Sequence, residues 1–228
     1  RALGGRVPGL RIAFSADFGF VKVDPEIAGA VEEAASVFES LGANVESVDP
    51  GFPDPEEAFE RLFFAGAANA LRCIEVGKRH LMDPGLVESA EKAADMPLLD
   101  YLAAQNIRAE ILETMSHFHE RFDLLLTPTL PIPAFEAGRD VPLGWPAQRW
   151  PSWTPFTFPF NMTGQPASSV PCGFTSGGLP IGLQLIGPRH RDSLVLRAAH
   201  AFEQASPIRR RPPILQSHGT DDKETRYA

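Results

Sequence analysis

Apolar residues recur at helical spacing through the first half of the chain and gather into near-continuous runs in the second. Ile27, Val31, Ala34, Phe38 and Leu41 follow one another at intervals of four, three, four and three, which places them on one face of a helix. Asp24 is its natural N-cap, Pro25 suits the first helical position and Glu26 sits where the macrodipole favours a carboxylate. Gly42 closes it just after the C-cap. Short β-type runs flank this helix at 11–14, after the turn residues Pro8 and Gly9, and at 44–48. Strand, helix and strand in succession predict a parallel βαβ unit.

A second helix opens in the same way, with Asp54 as cap, Pro55 entering, and Glu56 and Glu57 in the first turn. Its predicted buried stripe is Phe59, Leu62, Phe63, Ala67, Ala70, Leu71 and Ile74, and Gly77 is its predicted stop. Residues 78–97 read as a short helix within loops. A longer helix over 99–122 carries Ile107, Ile111, Met115, Phe118 and Phe122 on one side, and 123–127 reads as a buried strand ended by Pro128. Residues 192–204 form a closing helix through Val195, Ala198, Ala199 and Phe202. From Pro207 the chain is polar, basic then acidic, and is expected to be a partly disordered tail.

Two apolar runs, Ala167 to Phe174 and Leu179 to Ile186, are joined by Thr175-Ser176-Gly177-Gly178. Paired runs around a Gly-Gly turn predict a hairpin. Because the runs hardly alternate, both faces are expected to be covered, which makes them central strands of a layered α/β protein. Between the buried strand and this hairpin, prolines recur at 128, 131, 133, 142, 146, 151, 155, 159 and 166 among Trp145, Trp150 and Trp153. Regular structure cannot persist there, since each proline removes a donor and restricts its predecessor. So aromatic a loop after the carboxyl end of a strand is a candidate pocket wall, that being where open α/β sheets place ligands. A loop that merely covers the sheet edge is the plain alternative.

Asn161-Met-Thr-Gly164-Gln-Pro166-Ala-Ser-Ser-Val-Pro171, then Gly178-Leu-Pro-Ile-Gly-Leu-Gln-Leu-Ile-Gly187 and Asp192, resembles the C-terminal core of the amidase signature family, serine hydrolases of amide carbon–nitrogen bonds. Weaker likeness at Leu10-Arg-Ile-Ala, Val23-Asp-Pro-Glu-Ile and Asp123-Leu-Leu-Leu-Thr-Pro-Thr129 extends it over residues 9–205. The resemblance implies the C-terminal part of the amidase signature fold, an α/β arrangement with a mixed β-sheet covered by helices. It also implies a Ser-cis-Ser-Lys triad with a backbone oxyanion hole, in a Gly/Ser-rich segment N-terminal to everything in this chain. In such a triad a neutral lysine acts as base, the middle serine relays the proton and oriented N–H groups hold the oxyanion. That segment is absent from these residues. Seven positions before Asn161 stands Thr154, where members that use free glutamine have an acidic residue. A neutral threonine beside Trp153 and Phe156 points away from glutamine and toward apolar or aromatic amides.

Composition narrows the rest. With 228 residues, a formal charge of −8 and hydrophobic residues at 43%, the chain is that of a soluble globular protein rather than a nucleic-acid binder. No segment approaches a membrane span and no leader is seen at the start. Cys73 and Cys172 make neither a disulfide framework nor a metal pattern, so a cytoplasmic location is expected, with no metal and no cofactor. The chain opens on Arg1, not methionine, and is expected to be a processed, trimmed or excised piece.

The imitations of catalytic groups have plainer readings. Ala167-Ser168-Ser169 follows Pro166 inside what reads as a buried strand, without a glycine turn to expose a hydroxyl. Ser176-Gly177-Gly178 is a hairpin turn, and Cys172 an inert buried thiol. His117 and His119 lie two apart on a helix and cannot chelate one metal. His80, His190, His200 and His218 lack ligand spacing, Glu56 and Glu57 are first-turn acids, and Arg209–Arg211 is a solvated patch.

The expectation is therefore a single α/β unit over 1–206, half of an amidase domain, with a tail over 207–228. Its parent hydrolyses non-peptide amides with a small-molecule amide as substrate, while this chain alone is inactive for want of the missing N-terminal half. Thr129, Trp153, Thr154 and Phe156 are its expected substrate-pocket residues, with Asn161 as a hydrogen-bonding organiser and no catalytic residue among them. The rivals are a non-catalytic binding or assembly module and the A-type subunit of a tRNA-dependent amidotransferase. An uncovered sheet or helix surface would also permit a homo-oligomer.

Overall fold

The computed structural model describes residues 7–208. Five strands, β1 (Arg11–Phe14), β2 (Asn44–Ser47), β3 (Leu124–Pro128), β4 (Ala167–Phe174) and β5 (Pro180–Ile186), form one mixed sheet in the order β2-β1-β3-β5-β4. β1 pairs in parallel with β2 and β3, whereas β5 runs antiparallel to β3 and β4. This is the expected α/β class with a mixed sheet covered by helices.

Helix α1 (Pro25–Ser40) connects β1 to β2 and is built by the signals read from sequence. The Asp24 carboxylate accepts the Glu26 N–H at 2.9 Å, and Gly42 adopts φ +87°, a left-handed conformation that costs glycine nothing. Ile27, Val31, Ala34 and Phe38 are buried. They meet Leu124, Leu126, Leu183 and Leu185 of the sheet, together with Val195, Ala198 and Phe202 of α6 (Asp192–Ala205). The rings of Phe38 and Phe202 stack 5.5 Å apart and join the two helices.

The other face carries α2 (Glu56–Leu71), α4 (Leu98–Arg121) and α5 (Phe158–Thr163), with α3 (Pro84–Ala93) outside them. Ala13, Leu125 and Ile186 of the sheet meet Ile111, Met115, Phe156, Phe158 and Phe160 there. The proline-rich segment thus supplies core as well as cover, through a short 3₁₀ turn at Trp150–Trp153 and then α5.

Three expectations need correction. β4 is an edge strand, and Ala167, Ser169 and Pro171 on it are exposed. Its apolar run does not mean cover on both faces, because strand order is set by tertiary pairing that local sequence does not carry. The second helix begins at Glu56, one residue later than read, although Asp54 still accepts the Glu56 N–H at 3.0 Å. It ends at Leu71, well before Gly77, and Phe63 and Ile74 of its stripe are exposed, as is Ile107 of α4. Their periodicity is genuine, but no described element covers them fully. Of the tail from 207, only Pro207 and Ile208 are described; Arg209–Arg211 and His218 lie outside the described residues.

Candidate functional site

β3 delivers Thr129 to the carboxyl end of the sheet, where the early strands of an open α/β sheet present their loops. The Thr129 N–H donates to the Gly182 carbonyl at 2.9 Å, which fixes the exit of β3 onto β5. Thr129 Oγ1 lies 2.7 Å from Ser169 Oγ on β4. Both hydroxyls sit directly over Gly182, where a Cβ would come within 2.7 Å of one and 2.9 Å of the other. Around them is a groove of about 400 Å³, walled by Ile27, Leu130, Ile132, Pro171, Pro180 and Ile181. Its lips are both tied to the start of α1. The Asp24 N–H donates to the Pro131 carbonyl at 2.8 Å, and Glu26 Oε1 accepts the Ser176 N–H at 2.9 Å.

This groove can seat an apolar group and offer a hydroxyl hydrogen bond to a polar atom attached to it. It contains no base. Among the described residues no serine or cysteine is hydrogen-bonded to a basic side chain: Ser15 donates to Asp49, Ser169 meets Thr129, Ser152 donates to the Arg149 main-chain carbonyl and Cys172 points at the Ile181 carbonyl. Burial pushes the Cys172 thiol up to about 11, so it is the opposite of an activated nucleophile.

The five expected pocket residues do not converge on one cavity. Thr129 lines the groove. Trp153 is half-buried, donates its indole N–H to the Asp140 carbonyl at 2.8 Å, and stands edge-on to Phe135. Thr154 is 7% exposed, and its hydroxyl donates inward to the Pro151 carbonyl at 3.0 Å. Phe156 is fully buried against Phe18, their ring centroids 4.9 Å apart. Asn161 is exposed on α5, and its side chain has no hydrogen-bond partner among the described residues.

What links the proline-rich segment to the groove is a residue that neither periodicity nor motif spacing singles out. Gln184 of β5 donates its amide to the Phe156 carbonyl at 2.7 Å and to Thr127 Oγ1 at 3.1 Å. Thr127 and Gln184 pair across β3 and β5, two positions from Thr129 and Gly182 respectively. Its one signal in the sequence is a lone amide within the apolar run GLPIGLQLIG. Ser169 is the other residue missing from the expected set, because its strand reads as buried.

A second buried polar cluster lies on the far side of α4. Gln165 donates to the Gly187 carbonyl at 3.2 Å and meets His119 Nε2 at 2.8 Å, while its own carbonyl accepts from Thr163. His119 Nδ1 faces the Phe122 carbonyl at 3.0 Å, so the ring donates there and accepts from Gln165. Burial holds the His119 pKa below its ordinary value, outweighing the Phe122 carbonyl and Asp123. His117 points away toward Glu113 and Glu120. Among the described residues no three His, Cys, Asp or Glu side chains are placed to hold a metal ion.

The family model described as Amidase matches residues 2–196. An acylamidase of Rhodococcus erythropolis is 33% identical over 210 residues, covering 89% of this chain and 44% of that protein. The A-type subunit of the glutamyl-tRNA(Gln) amidotransferase of Geobacter metallireducens is 31% identical over 233 residues, covering 90% of this chain and 47% of that protein. A bacterial aryl acylamidase of the amidase signature family superposes with TM-score 0.79 at 31% identity, covering 90% of this chain and 45% of the other. The chain therefore spans about half the length of the curated relatives it matches.

Proposed function

The chain belongs to the amidase signature family, and we propose that it is the C-terminal half of an amidase that hydrolyses carbon–nitrogen bonds of non-peptide amides. The observation that carries this reading is the match itself: nearly all of this chain aligns with less than half of the acylamidase. In the reaction a serine attacks the amide carbonyl, a neutral lysine takes its proton through a second serine, and backbone N–H groups hold the oxyanion. Those groups belong to the N-terminal half. What residues 1–206 contribute, as one α/β unit, is a rigid sheet and part of the substrate cleft. Thr129 offers a hydroxyl to the groove, Trp153 and Asn161 stand at the surface of the proline-rich segment, and Phe156 and Thr154 hold that segment from within.

Apolar groove walls and a neutral Thr154, whose hydroxyl is already used by Pro151, support an apolar or aromatic amide as substrate. A glutamine-using amidotransferase is the second reading, favoured by the likeness to the Geobacter metallireducens protein. The absence of a carboxylate at Thr154 weighs against it. Two free cysteines and no helix long and apolar enough to cross a membrane, among the described residues, suit a cytoplasmic enzyme.

The test compares this chain alone with the same chain completed by the preceding half of the parent polypeptide. Release of aniline from an acyl anilide by the completed enzyme, with none from the isolated chain, is expected. Glutamine should be a poor substrate. Hydrolysis by the isolated chain, or a completed enzyme that cleaves glutamine and ignores anilides, would overturn the assignment.

A further inference from the structure

The last turns of α4 wall a second cavity, which the amidase reading leaves unused. Leu112, Met115, His119 and Glu120 recur about one helical turn apart and so share a face of α4. Opposite them stand two chain turns stitched together by the Gly187 N–H, which donates to the Pro166 carbonyl at 3.0 Å. The first turn supplies Gln165, the second Pro188 and Arg189, and the space enclosed is about 290 Å³. Gly187 follows Ile186, which pairs with Leu125, and His119 faces the Phe122 carbonyl. The cavity therefore lies at the amino end of β3, the opposite end of the sheet from the Thr129 groove.

Its walls are held in place and its charges are left over. His119 and Gln165 meet at 2.8 Å, and Gln165 is tied further to the Gly187 carbonyl. The turn carrying Arg189 is closed by the Arg191 N–H on the Pro188 carbonyl at 3.1 Å. Within it His190 takes φ +64°, a left-handed conformation uncommon outside glycine. Arg189 is thereby laid over the α5–β4 turn, its Nε 3.9 Å from the point that a Cβ on Gly164 would occupy. Its guanidinium has no hydrogen-bond or ion-pair partner among the described residues. The other charge at the mouth is the exposed Glu120 carboxylate, whose neighbour is His117 at 3.5 Å.

We propose that this cavity binds a free amino acid with an apolar side chain. The carboxylate sits on Arg189, the ammonium on Glu120, and the side chain against Leu112, Met115 and Pro188. A guanidinium fork matches the two oxygens of a carboxylate, and an unshared carboxylate is an acceptor for an ammonium. A simple acid would also meet Glu120, and a simple amine would also meet Arg189. Each of those is a like-charge contact, which a ligand carrying both signs avoids. The volume is at the small end of ligand cavities, which suits an amino acid and leaves out nucleotides and long chains. Every residue named belongs to this chain, so the inference does not rest on the proposed hydrolysis.

The test is titration calorimetry on the full chain and, in parallel, on the enzyme completed by the preceding half. The probes are L-leucine and L-phenylalanine, with 3-phenylpropanoate and 2-phenylethylamine as the acid-only and amine-only analogues. At least one amino acid should bind both proteins. Each single-charge analogue should bind about tenfold more weakly or worse, the loss of one charge-assisted bond. Arg189→Gln and Glu120→Gln should weaken amino-acid binding by about the same factor, whereas Glu46→Gln on β2 should not. Circular dichroism establishes that each variant is folded. Without any variant, binding should shift the His119 imidazole resonances and leave those of His80 in place. No binding of either amino acid would overturn the site. Binding that survives both substitutions, or that leaves His119 unmoved, would overturn its location. Equal binding of 3-phenylpropanoate would overturn the ligand class. Binding by the chain but not by the completed enzyme would mean that the other half closes the cavity, and would overturn the site as well.

Discussion

Gln184 and Phe156 are joined by a 2.7 Å hydrogen bond from a side-chain amide to a main-chain carbonyl, with both partners buried. A polar residue in the middle of the sheet thereby holds the proline-rich segment against β5. The segment has few backbone donors of its own, so each external bond matters more than it would in a helix.

Replacing Gln184 by leucine keeps the volume and strands the Phe156 carbonyl. A stability loss of about 1–3 kcal/mol is expected, the cost of a buried unsatisfied acceptor. Urea denaturation measures the loss, and faster amide exchange over residues 150–160 would locate it. An unchanged exchange rate there would mean that the segment is held by its aromatic contacts alone.

Gly182→Ala should be destabilising by about 1–3 kcal/mol, as overpacking usually is, because its Cβ would collide with Thr129 Oγ1 and Ser169 Oγ. Thr129→Ala removes one of the two obstacles. The double variant should therefore lose less than the sum of the two single losses, a coupling that a denaturation cycle reads directly.

Cys172 should resist alkylation. With its thiol at about 11, only about one molecule in a thousand carries the thiolate at pH 8. Iodoacetamide followed by peptide mass mapping should label the exposed Cys73 first and reach Cys172 only on unfolding. Rapid labelling of Cys172 in the folded chain would reopen the case for a thiol nucleophile.

His119 makes the fold sensitive to mild acid. Its native pKa is lowered, so between that value and its ordinary 6.5 the unfolded chain binds a proton that the folded chain refuses. Stability is then complete above pH 6.5 and falls as the pH drops through that window, by at most about 1.4 kcal/mol per pH unit. Protonation would turn Nε2 into a donor facing the Gln165 amide. His119→Asn should flatten this part of the profile, seen in melting temperatures between pH 7.5 and 5.

Local chemistry was legible in the sequence, and spatial arrangement much less so. Asp24, Pro25 and Gly42 announced α1 because capping acts within a few residues. The Gly177-Gly178 turn announced the hairpin for the same reason, although only Gly178 takes a positive φ. Phe63 and Ile74 keep a helical period while remaining exposed, since periodicity says which face is apolar and not whether anything lies on it. Likewise β4 looks central because its composition suits burial. Gln184 is silent in the sequence because its two partners lie 28 and 57 residues away. Of the expected pocket residues, Thr129 is marked by its place after a buried strand. Thr154 and Phe156 are marked by their aromatic neighbourhood, which packs inward.

The first turn of α1 acts as a clasp. Asp24 grips the loop on one lip of the groove through Pro131, and Glu26 grips the hairpin turn on the other through Ser176. Sliding the helix along its axis would carry both lips together, so the groove would move as one piece and keep its width. A substitution at Phe38, which stacks on Phe202 in the core beneath α1, would therefore displace the loop and the hairpin turn in concert.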